Sequence, residues 1–135
     1  MIEKKPVELT HNEEIKEAIP TLAGTIAATL ANGATDQFSG DDNQFLKFHG
    51  VYQQDDRDQR SGGGKKFIMM IRGRIPGGVM TAKQWGVFDE LAWLYGNNTL
   101  RITTRQSIQF HGVVKANLRR VVKKINESLL STLAA

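Results

Sequence analysis

Hydrogen-bond donors are concentrated in residues 100–112, which read Leu-Arg-Ile-Thr-Thr-Arg-Gln-Ser-Ile-Gln-Phe-His-Gly. The alternation of side chains predicts two short strands joined at residues 105–107. The face expected to be buried is apolar and holds Leu100, Ile102, Ile108 and Phe110. The opposite face is rich in donors, has no carboxylate and holds Arg101, Thr103, Gln109 and His111. This second face suits an anionic ligand, although an ordinary solvated sheet face has a similar composition.

Two arginines, Arg72 and Arg74, stand two positions apart where a predicted strand ends. Because side chains alternate along a strand, both are expected on the same face. Guanidinium groups bind oxyanions through paired hydrogen bonds and stay charged at any working pH. The pair is therefore a candidate oxyanion site, with two ordinary surface arginines as the alternative. The following Pro-Gly-Gly predicts a turn rather than a phosphate loop, since no Lys-Ser/Thr follows it.

The composition indicates one compact domain with an extended or helical leader, because 135 residues with 40% hydrophobic side chains can bury a single core. No apolar run has membrane-spanning length and the first residues do not form a signal peptide, so we expect a cytoplasmic protein without membrane contact. The chain has no cysteine. Disulfides and any thiolate-held iron–sulfur cluster within this chain are therefore excluded.

Charge is distributed unevenly along the chain. Residues 1–64 carry 6 Lys/Arg against 11 Asp/Glu, whereas residues 65–124 carry 12 against 2. The basic half is expected to face an anionic partner. Nucleic acid, an acidic electron-donor protein and a polycarboxylate cofactor satisfy this electrostatic condition equally well.

The predicted elements follow from periodicity and from helix-ending residues. We expect a helix from Asn12 to Ala18, a second over residues 21–30, a surface connection over 33–42, and strands over 44–54 and 67–72. A helix capped by Thr81 and stopped at Gly96 carries an apolar face of Trp85, Phe88, Leu91, Ala92 and Tyr95. After the two strands of residues 100–112, a last helix is predicted from Lys115 or Asn117 to Leu130.

The order β-α-β-β-α lacks only one strand of a ferredoxin-like sandwich. The predicted fold is therefore α+β, a ferredoxin-like half-domain with an extended or helical N-terminal leader. We expect the leader over residues 1–43 and the half-domain over residues 44–135, truncated at its C-terminal end.

Three segments together resemble a known family. They are residues 47–58 (Lys-Phe-His-Gly-Val-Tyr-Gln-Gln-Asp-Asp-Arg-Asp), residues 70–79 (Met-Ile-Arg-Gly-Arg-Ile-Pro-Gly-Gly-Val) and residues 103–106 (Thr-Thr-Arg-Gln). Their order and spacing resemble the amino-terminal part of an assimilatory sulfite reductase, a sirohaem haemoprotein of the nitrite/sulfite reductase family. The second and third segments also look like those of nitrite reductases, whereas Phe-His-Gly with the following Tyr-Gln-Gln-Asp-Asp-Arg-Asp favours the sulfite branch.

The resemblance implies an enzyme, active in its complete form, that carries out the six-electron reduction of sulfite to sulfide with sirohaem and a 4Fe-4S cluster. The cluster ligands would come from the remaining C-terminal half, and electrons from a ferredoxin or a flavoprotein, so the isolated chain is expected to be inactive. Arg72 matches a catalytic arginine that holds the substrate oxygens. The positions that match cofactor contacts are Lys47, Gln54, Thr103, Arg105, Gln109 and His111. No residue is predicted to ligate a metal.

Three alternatives stay open at this stage. One is a fragment of a nitrite reductase. A second is a basic RNA-binding module with the same element order, which the core-face positions of Phe67 and Phe110 disfavour because such modules stack bases on exposed aromatics. The third is a non-catalytic docking piece for an electron donor, for which the basic residues 119–124 would serve.

Overall fold

A computed structural model describes residues 8–59 and 64–135 of the chain. Within these ranges the helices are α1 (His11–Ala18), α2 (Ile26–Ala31), α3 (Gly40–Phe48), α4 (Ala82–Tyr95) and α5 (Lys115–Glu127). The strands are β1 (Val51–Asp55), β2 (Phe67–Gly73), β3 (Arg101–Ile102) and β4 (Ile108–Val113). They form one antiparallel sheet in the order β1-β2-β4-β3. From β2 onward the order is β-α-β-β-α, which confirms the predicted ferredoxin-like half-domain.

One face of the sheet forms the core. Val51 pairs with Ile71, which also pairs with Phe110, and all three side chains are buried. Helices α4 and α5 cover this face, and the Phe88 ring of α4 meets the Phe110 ring edge-on with centroids 6.2 Å apart. We call this side, with Val51, Met69, Ile71 and Phe110, the core face.

The other side of the sheet carries the intervening residues of the same strands. Tyr52 pairs with Met70, and Arg72 pairs with Gln109. Because successive side chains of a strand point to opposite sides, these residues lie away from α4 and α5. We call this side, with Tyr52, Met70, Arg72 and Gln109, the outer face.

Two buried charged side chains connect the N-terminal segment to the rest of the fold. Asp42, in α3, accepts hydrogen bonds from the backbone N (2.8 Å) and Oγ1 (2.6 Å) of Thr25. Lys115, at the start of α5, donates from Nζ to the carbonyls of Thr29 (2.6 Å) and Asn32 (2.5 Å) at the end of α2. Buried charges need such partners. The division into a leader (1–43) and a half-domain (44–135) stays a prediction; its boundary falls within α3.

The strand predicted over residues 44–54 is wrong in its first half. Residues Gly40–Phe48 form α3, and the strand begins only at Val51. Ser39 caps this helix, since its Oγ accepts from the backbone N of Asp42 at 3.1 Å. Asp41 and Asp42 lie in the first turn, where their negative charges interact favourably with the positive end of the helix dipole. The surface connection predicted over residues 33–42 therefore includes the start of a helix.

Three predicted helix limits also differ from the structure. The first helix is capped by Thr10 rather than by Asn12, with the Thr10 backbone N donating to Glu13 Oε2 at 2.7 Å. The second begins at Ile26 rather than near residue 21, because Leu22 adopts a left-handed φ of 55°. The last helix ends at Glu127 rather than at Leu130, because Leu129 has a φ of 64°.

Burial also differs from prediction at the edges of the fold. Ile102 was expected in the core but is 68% exposed, because β3 is a two-residue edge strand that pairs only with β4. On α4, Phe88, Leu91 and Ala92 are buried as predicted, whereas Trp85 is 42% exposed. None of the helices in the described ranges has the length and apolar run that a membrane crossing requires.

Candidate functional site

A cleft of about 620 Å³ opens where β2 ends. Its charged side chains are those of three arginines, Arg72, Arg74 and Arg105. Tyr52 and Thr103 add a ring and a hydroxyl group. No Asp or Glu side chain is among the described residues that line the cleft. We call it the arginine cleft; its charge is that of a site for an anion.

Arg72 is held by the strands on both sides of β2. Its backbone N donates to the Gly50 carbonyl at 2.9 Å, and its guanidinium carbon lies 5.0 Å from the centroid of the Tyr52 ring. With the Gln109 amide turned so that its oxygen faces Arg72, this oxygen accepts from Nη2 at 2.6 Å and from Nε at 2.8 Å. The amide therefore takes two of the five guanidinium donors, and Arg72 lines the cleft.

Arg74 and the turn that follows it form a second wall of the cleft. The Arg74 backbone N donates to the Ser131 carbonyl at 2.7 Å, and residues Pro76–Gly78 make a 3₁₀ turn. Gly78 has a φ of 70°, and a Cβ atom at this position would lie 2.9 Å from the Cβ of Gln106. The Pro-Gly-Gly turn and the loop that carries Arg105 are therefore packed against each other.

Thr103 closes the loop that presents Arg105. Its backbone N donates to the Ser107 carbonyl at 2.9 Å, and its Oγ1 accepts from the Ser107 backbone N at 3.1 Å. Gln106 completes the turn with a left-handed φ of 63°. Arg105 is exposed at the tip of this loop and lines the cleft. Thr103 is thus engaged in shaping the turn, while the exposed Arg105 contributes a cation to the lining of the cleft.

His111 lies in a different cleft, of about 880 Å³, together with Arg101 and Ile68. A register shift in β4 sets His111 and Gly112 opposite Met70, as in a β-bulge. Burial lowers the pKa of His111 below its ordinary value, and the positive charge of Arg101 lowers it further. His111 is therefore held towards its neutral form.

The remaining predicted residues lie outside both clefts. Gln54 is exposed on β1 and pairs with Ile68. Lys47 is on α3, where its Nζ donates to Gln44 Oε1 at 2.9 Å, and it lines a separate depression with Leu22. The structure therefore brings Arg72, Thr103 and Arg105 together, with Gln109 bound to Arg72, and leaves Lys47, Gln54 and His111 apart from them.

Two residues of the site were missed at the level of sequence. Tyr52 was part of a recognised segment but received no role, and it lines the cleft beside Arg72. Gly73, between the two arginines, faces the core, where a Cβ atom would lie 2.6 Å from Cε1 of Phe88. The sequence signal for Gly73 was a glycine inside a strand, which often marks a close approach of other atoms to the backbone.

The donor set of the arginine cleft fits an anionic group. The described residues contain no cluster of three or more His, Cys, Asp or Glu that could hold a metal. The arginine cleft instead offers guanidinium donors, which pair with carboxylates and oxyanions. A polycarboxylate macrocycle and a small oxyanion both fit this chemistry.

Comparison with known proteins identifies the family. Residues 58–128 match the family described as "Nitrite/Sulfite reductase ferredoxin-like half domain". The chain belongs to this nitrite/sulfite reductase family. The matched range includes Arg72, Thr103, Arg105, Gln109 and His111, but neither Lys47 nor Gln54.

Curated relatives extend the similarity to nearly the whole chain. The chain is 50% identical over 132 residues to the protein of Methylorubrum populi named "Sulfite reductase [NADPH] hemoprotein beta-component", covering 94% of this chain and 22% of the relative. The protein of the same name from Staphylococcus haemolyticus is 46% identical over 140 residues, covering 100% of this chain and 24% of the relative. The chain thus spans less than a quarter of the length of these relatives.

A solved structure has the same fold. The structure described as "Structure of Mycobacterium tuberculosis NirA protein" matches with a TM-score of 0.77 and 21% identity. The match covers 96% of this chain and 26% of that one. At this identity the match supports the α+β half-domain fold and no more.

Proposed function

We propose that this chain supplies part of the sulfite and sirohaem site of a sulfite reductase, whose complete form carries out the six-electron reduction of sulfite to sulfide. The observation that carries the proposal is the arginine cleft, where three guanidinium groups meet without an acidic side chain among the described lining residues. A doubly charged oxyanion and a carboxylated cofactor both require such a lining. The names of the curated relatives supply the reaction class.

In this proposal Arg72 is the catalytic residue. Its Nη1 side would hold the oxygens of sulfite and neutralise the charge on them, which is worth most in a site that excludes water. Sirohaem coupled to the 4Fe-4S cluster would supply the electrons when bound. Arg105 would pair with carboxylates of the macrocycle, because it is exposed at a loop tip and free to reach outward.

The other cofactor contacts receive unequal support. Thr103 lines the cleft, whereas Gln54 and His111 lie elsewhere on the sheet. Lys47 has the weakest support, because it lines a depression formed by α3 and the N-terminal segment. Thr103, Gln54, His111 and Lys47 remain proposed cofactor contacts.

The complete enzyme needs partners. We propose that the C-terminal remainder of the polypeptide supplies the cluster cysteines, since this chain has none, and that the isolated chain is inactive. A separate ferredoxin or flavoprotein would deliver electrons; NADPH and "beta-component" in the relatives' names favour a flavoprotein. The cytoplasmic location stays a prediction.

The alternatives have less support. Residues 58–128 match a family description that includes nitrite reductases, but the curated relatives described above are named sulfite reductases. For an RNA-binding module, the strand aromatics would have to be exposed. Phe110 is completely buried, and Phe67 lies in register on the core face.

Replacing Arg72 tests the proposed function. In the full-length protein, Arg72→Ala is expected to lower kcat/KM for sulfite about 30- to 1000-fold, corresponding to the loss of one preorganised charged donor. Sirohaem content per protein is expected to stay near that of the wild type. Lys83→Ala, which removes one exposed charge on α4, is the control. Unchanged sulfite kinetics in Arg72→Ala contradict the proposal.

Replacing Arg105 tests the cofactor role. Arg105→Ala in the full-length protein is expected to lower the haem absorbance per protein, because a carboxylate of the macrocycle loses its cation. The same Lys83→Ala variant is the control. If Arg105→Ala retains full sirohaem content, the assignment of Arg105 is wrong, while that of Arg72 is unaffected.

A further inference from the structure

The Tyr52 ring lies against the guanidinium of Arg72. Tyr52 and Arg72 are diagonal neighbours on the outer face, because Tyr52 pairs with Met70, two residues before Arg72. The guanidinium carbon is 5.0 Å from the ring centroid, within the range of about 6 Å for an attractive cation–π contact. Tyr52 is partly buried, which limits the movement of its ring.

Gln109 meets the same guanidinium from the opposite strand. It pairs directly with Arg72 and is only 8% exposed. With the amide turned so that its oxygen faces Arg72, this oxygen accepts from both Nη2 (2.6 Å) and Nε (2.8 Å). Two hydrogen bonds to one oxygen restrict the rotation of the guanidinium group.

Both neighbours of Arg72 are uncharged. A carboxylate at position 109 would hold the guanidinium in the same geometry, but it would also neutralise its charge. An amide oxygen and an aromatic ring attract the cation through their dipole and quadrupole and leave its net charge intact. A site that must both orient an arginine and attract an anion needs this combination.

We propose that Tyr52 and Gln109 are positioning residues that hold the Arg72 guanidinium in place for an oxyanion while preserving its positive charge. The inference rests on the proposed function of Arg72, and it assigns Gln109 to Arg72 instead of to the cofactor. Holding the side chain before binding lowers the rotamer entropy that an anion would otherwise have to fix.

Steady-state kinetics of the full-length enzyme test the need for charge. Gln109→Glu keeps an oxygen at the same place and adds a negative charge, so KM for sulfite is expected to rise at least about ten-fold. The salt dependence of KM should weaken at the same time, because the site has lost net charge. A rise in KM with an unchanged salt dependence would point to a distorted site instead of to lost charge.

The ring is tested by a pair of variants at position 52. Tyr52→Leu is expected to lower kcat/KM for sulfite about 3- to 30-fold, the range of a partly buried cation–π contact. Tyr52→Phe keeps the ring and should restore kcat/KM to within about two-fold of the wild type. Equal losses in Tyr52→Phe and Tyr52→Leu would show that the hydroxyl group, and not the ring, is what matters, and would overturn the positioning role of the ring.

A spectroscopic test on this chain does not depend on turnover. The Arg72 Hε resonance in a ¹⁵N-edited NMR spectrum should be shifted by the Tyr52 ring current, should keep that shift in Tyr52→Phe and should lose it in Tyr52→Leu. A shift that stays the same in Tyr52→Leu overturns the positioning proposal, since the ring would then not lie on Arg72.

The two proposals can fail separately. If Arg72→Ala leaves sulfite turnover unchanged, the proposed function fails, whatever the NMR spectrum shows. If Arg72→Ala is impaired while Tyr52→Leu and Gln109→Glu both behave as the wild type, the positioning proposal fails and the role of Arg72 stands.

Discussion

The two faces of the sheet are built from alternate residues of the same strands, yet they are very different in composition. On β2 and β4, Ile71 and Phe110 are completely buried beneath α4 and α5. Their neighbours Arg72 and Gln109 lie on the outer face, where the arginine cleft opens. Helices of this chain cover the core face. On the outer face, the three arginines of the arginine cleft have no acidic side chain among the described lining residues. Along β2 and β4, residues that pack in the core therefore alternate with residues that lie on the outer face.

This separation has a direct structural cause. An antiparallel sheet with helices on one side has one face available for polar residues. In this half-domain the outer face carries guanidinium groups, and the core face packs against α4 and α5. The comparison predicts that substitutions on the core face change the free energy of unfolding, while substitutions on the outer face change ligand affinity.

The largest expected effect is on the core face. Phe110→Ala should lower the free energy of unfolding of this chain by about 3–5 kcal/mol, because it removes a fully buried ring and leaves a cavity. Arg105→Ala, on an exposed loop, should stay within about 0.5 kcal/mol. Urea denaturation followed by circular dichroism measures both values. Comparable losses in the two variants would break the division between the faces.

Gly73, between Arg72 and Arg74, tests how closely α4 packs against the core face of β2. Gly73→Ala inserts a methyl group against the buried Phe88 ring, so it should destabilise the chain by about 1–3 kcal/mol. Gly86→Ala is the matched control: Gly86 is an exposed residue of α4 with open space around its Cβ position, and alanine there should stabilise by up to about 1 kcal/mol. The same denaturation experiment applies, and a neutral Gly73→Ala would show that Phe88 can move.

Alanine substitutions at the adjacent residues Gly77 and Gly78 distinguish the cost of backbone strain from the cost of disturbing the contact between the two loops. Gly77 and Gly78 both have a positive φ, so alanine at either position should cost about 1 kcal/mol or somewhat more. Only Gly78→Ala also displaces Gln106, because its Cβ would lie 2.9 Å from the Gln106 Cβ. We therefore expect Gly78→Ala to lose more stability than Gly77→Ala and, in the full-length enzyme, to lose more sirohaem as well. Identical behaviour of the two variants would mean that the loops do not depend on each other.

Local signals were enough to predict the second half of the fold. The helix α4 begins at a capping box in which Thr81 Oγ1 accepts from the Gln84 backbone N and the Gln84 side chain accepts from the Thr81 backbone N, and it ends at Gly96. The strands around the Arg105 turn follow from alternation within a few residues. In these segments propensity, periodicity and turn residues all agree.

The region around α3 could not be predicted in the same way. Phe45 and Leu46 are adjacent and both buried, since Phe45 packs near Gly24 and Leu46 joins the main core. A short segment with apolar residues on two sides has no decisive period. The capping signal of Ser39 was available locally, but the contact of buried Asp42 with Thr25 joins residues 17 positions apart and has no local signal.

The site was predictable in its residue types but not in its contacts. The resemblance selected Arg72, Thr103 and Arg105, which the structure brings into one cleft. The roles of Tyr52 and Gln109 depend on strand register, which brings residues of different strands next to Arg72. No spacing rule within a single segment could reveal these cross-strand contacts.

The smallest expected effect is the pH dependence of stability that two histidines produce with opposite signs. The pKa of His111 is lowered in the fold by burial and by Arg101, so the unfolded chain binds more protons just below about pH 6.5. The stability contributed by neutral His111 is therefore lost as the pH falls through this range. The pKa of His11 is raised by its hydrogen bond to Asp41, so its contribution is lost as the pH rises.

Urea midpoints measured between about pH 5 and pH 7.5 on the wild type and two variants would resolve these contributions. His111→Gln leaves the His11 contribution, so its stability relative to the wild type should improve as the pH falls. His11→Gln leaves the His111 contribution, so its relative stability should worsen over the same range. Because His49 and the carboxylates are common to all three proteins, the differences between the curves isolate the two sites. Parallel curves for His111→Gln and the wild type would show that the second cleft is solvated.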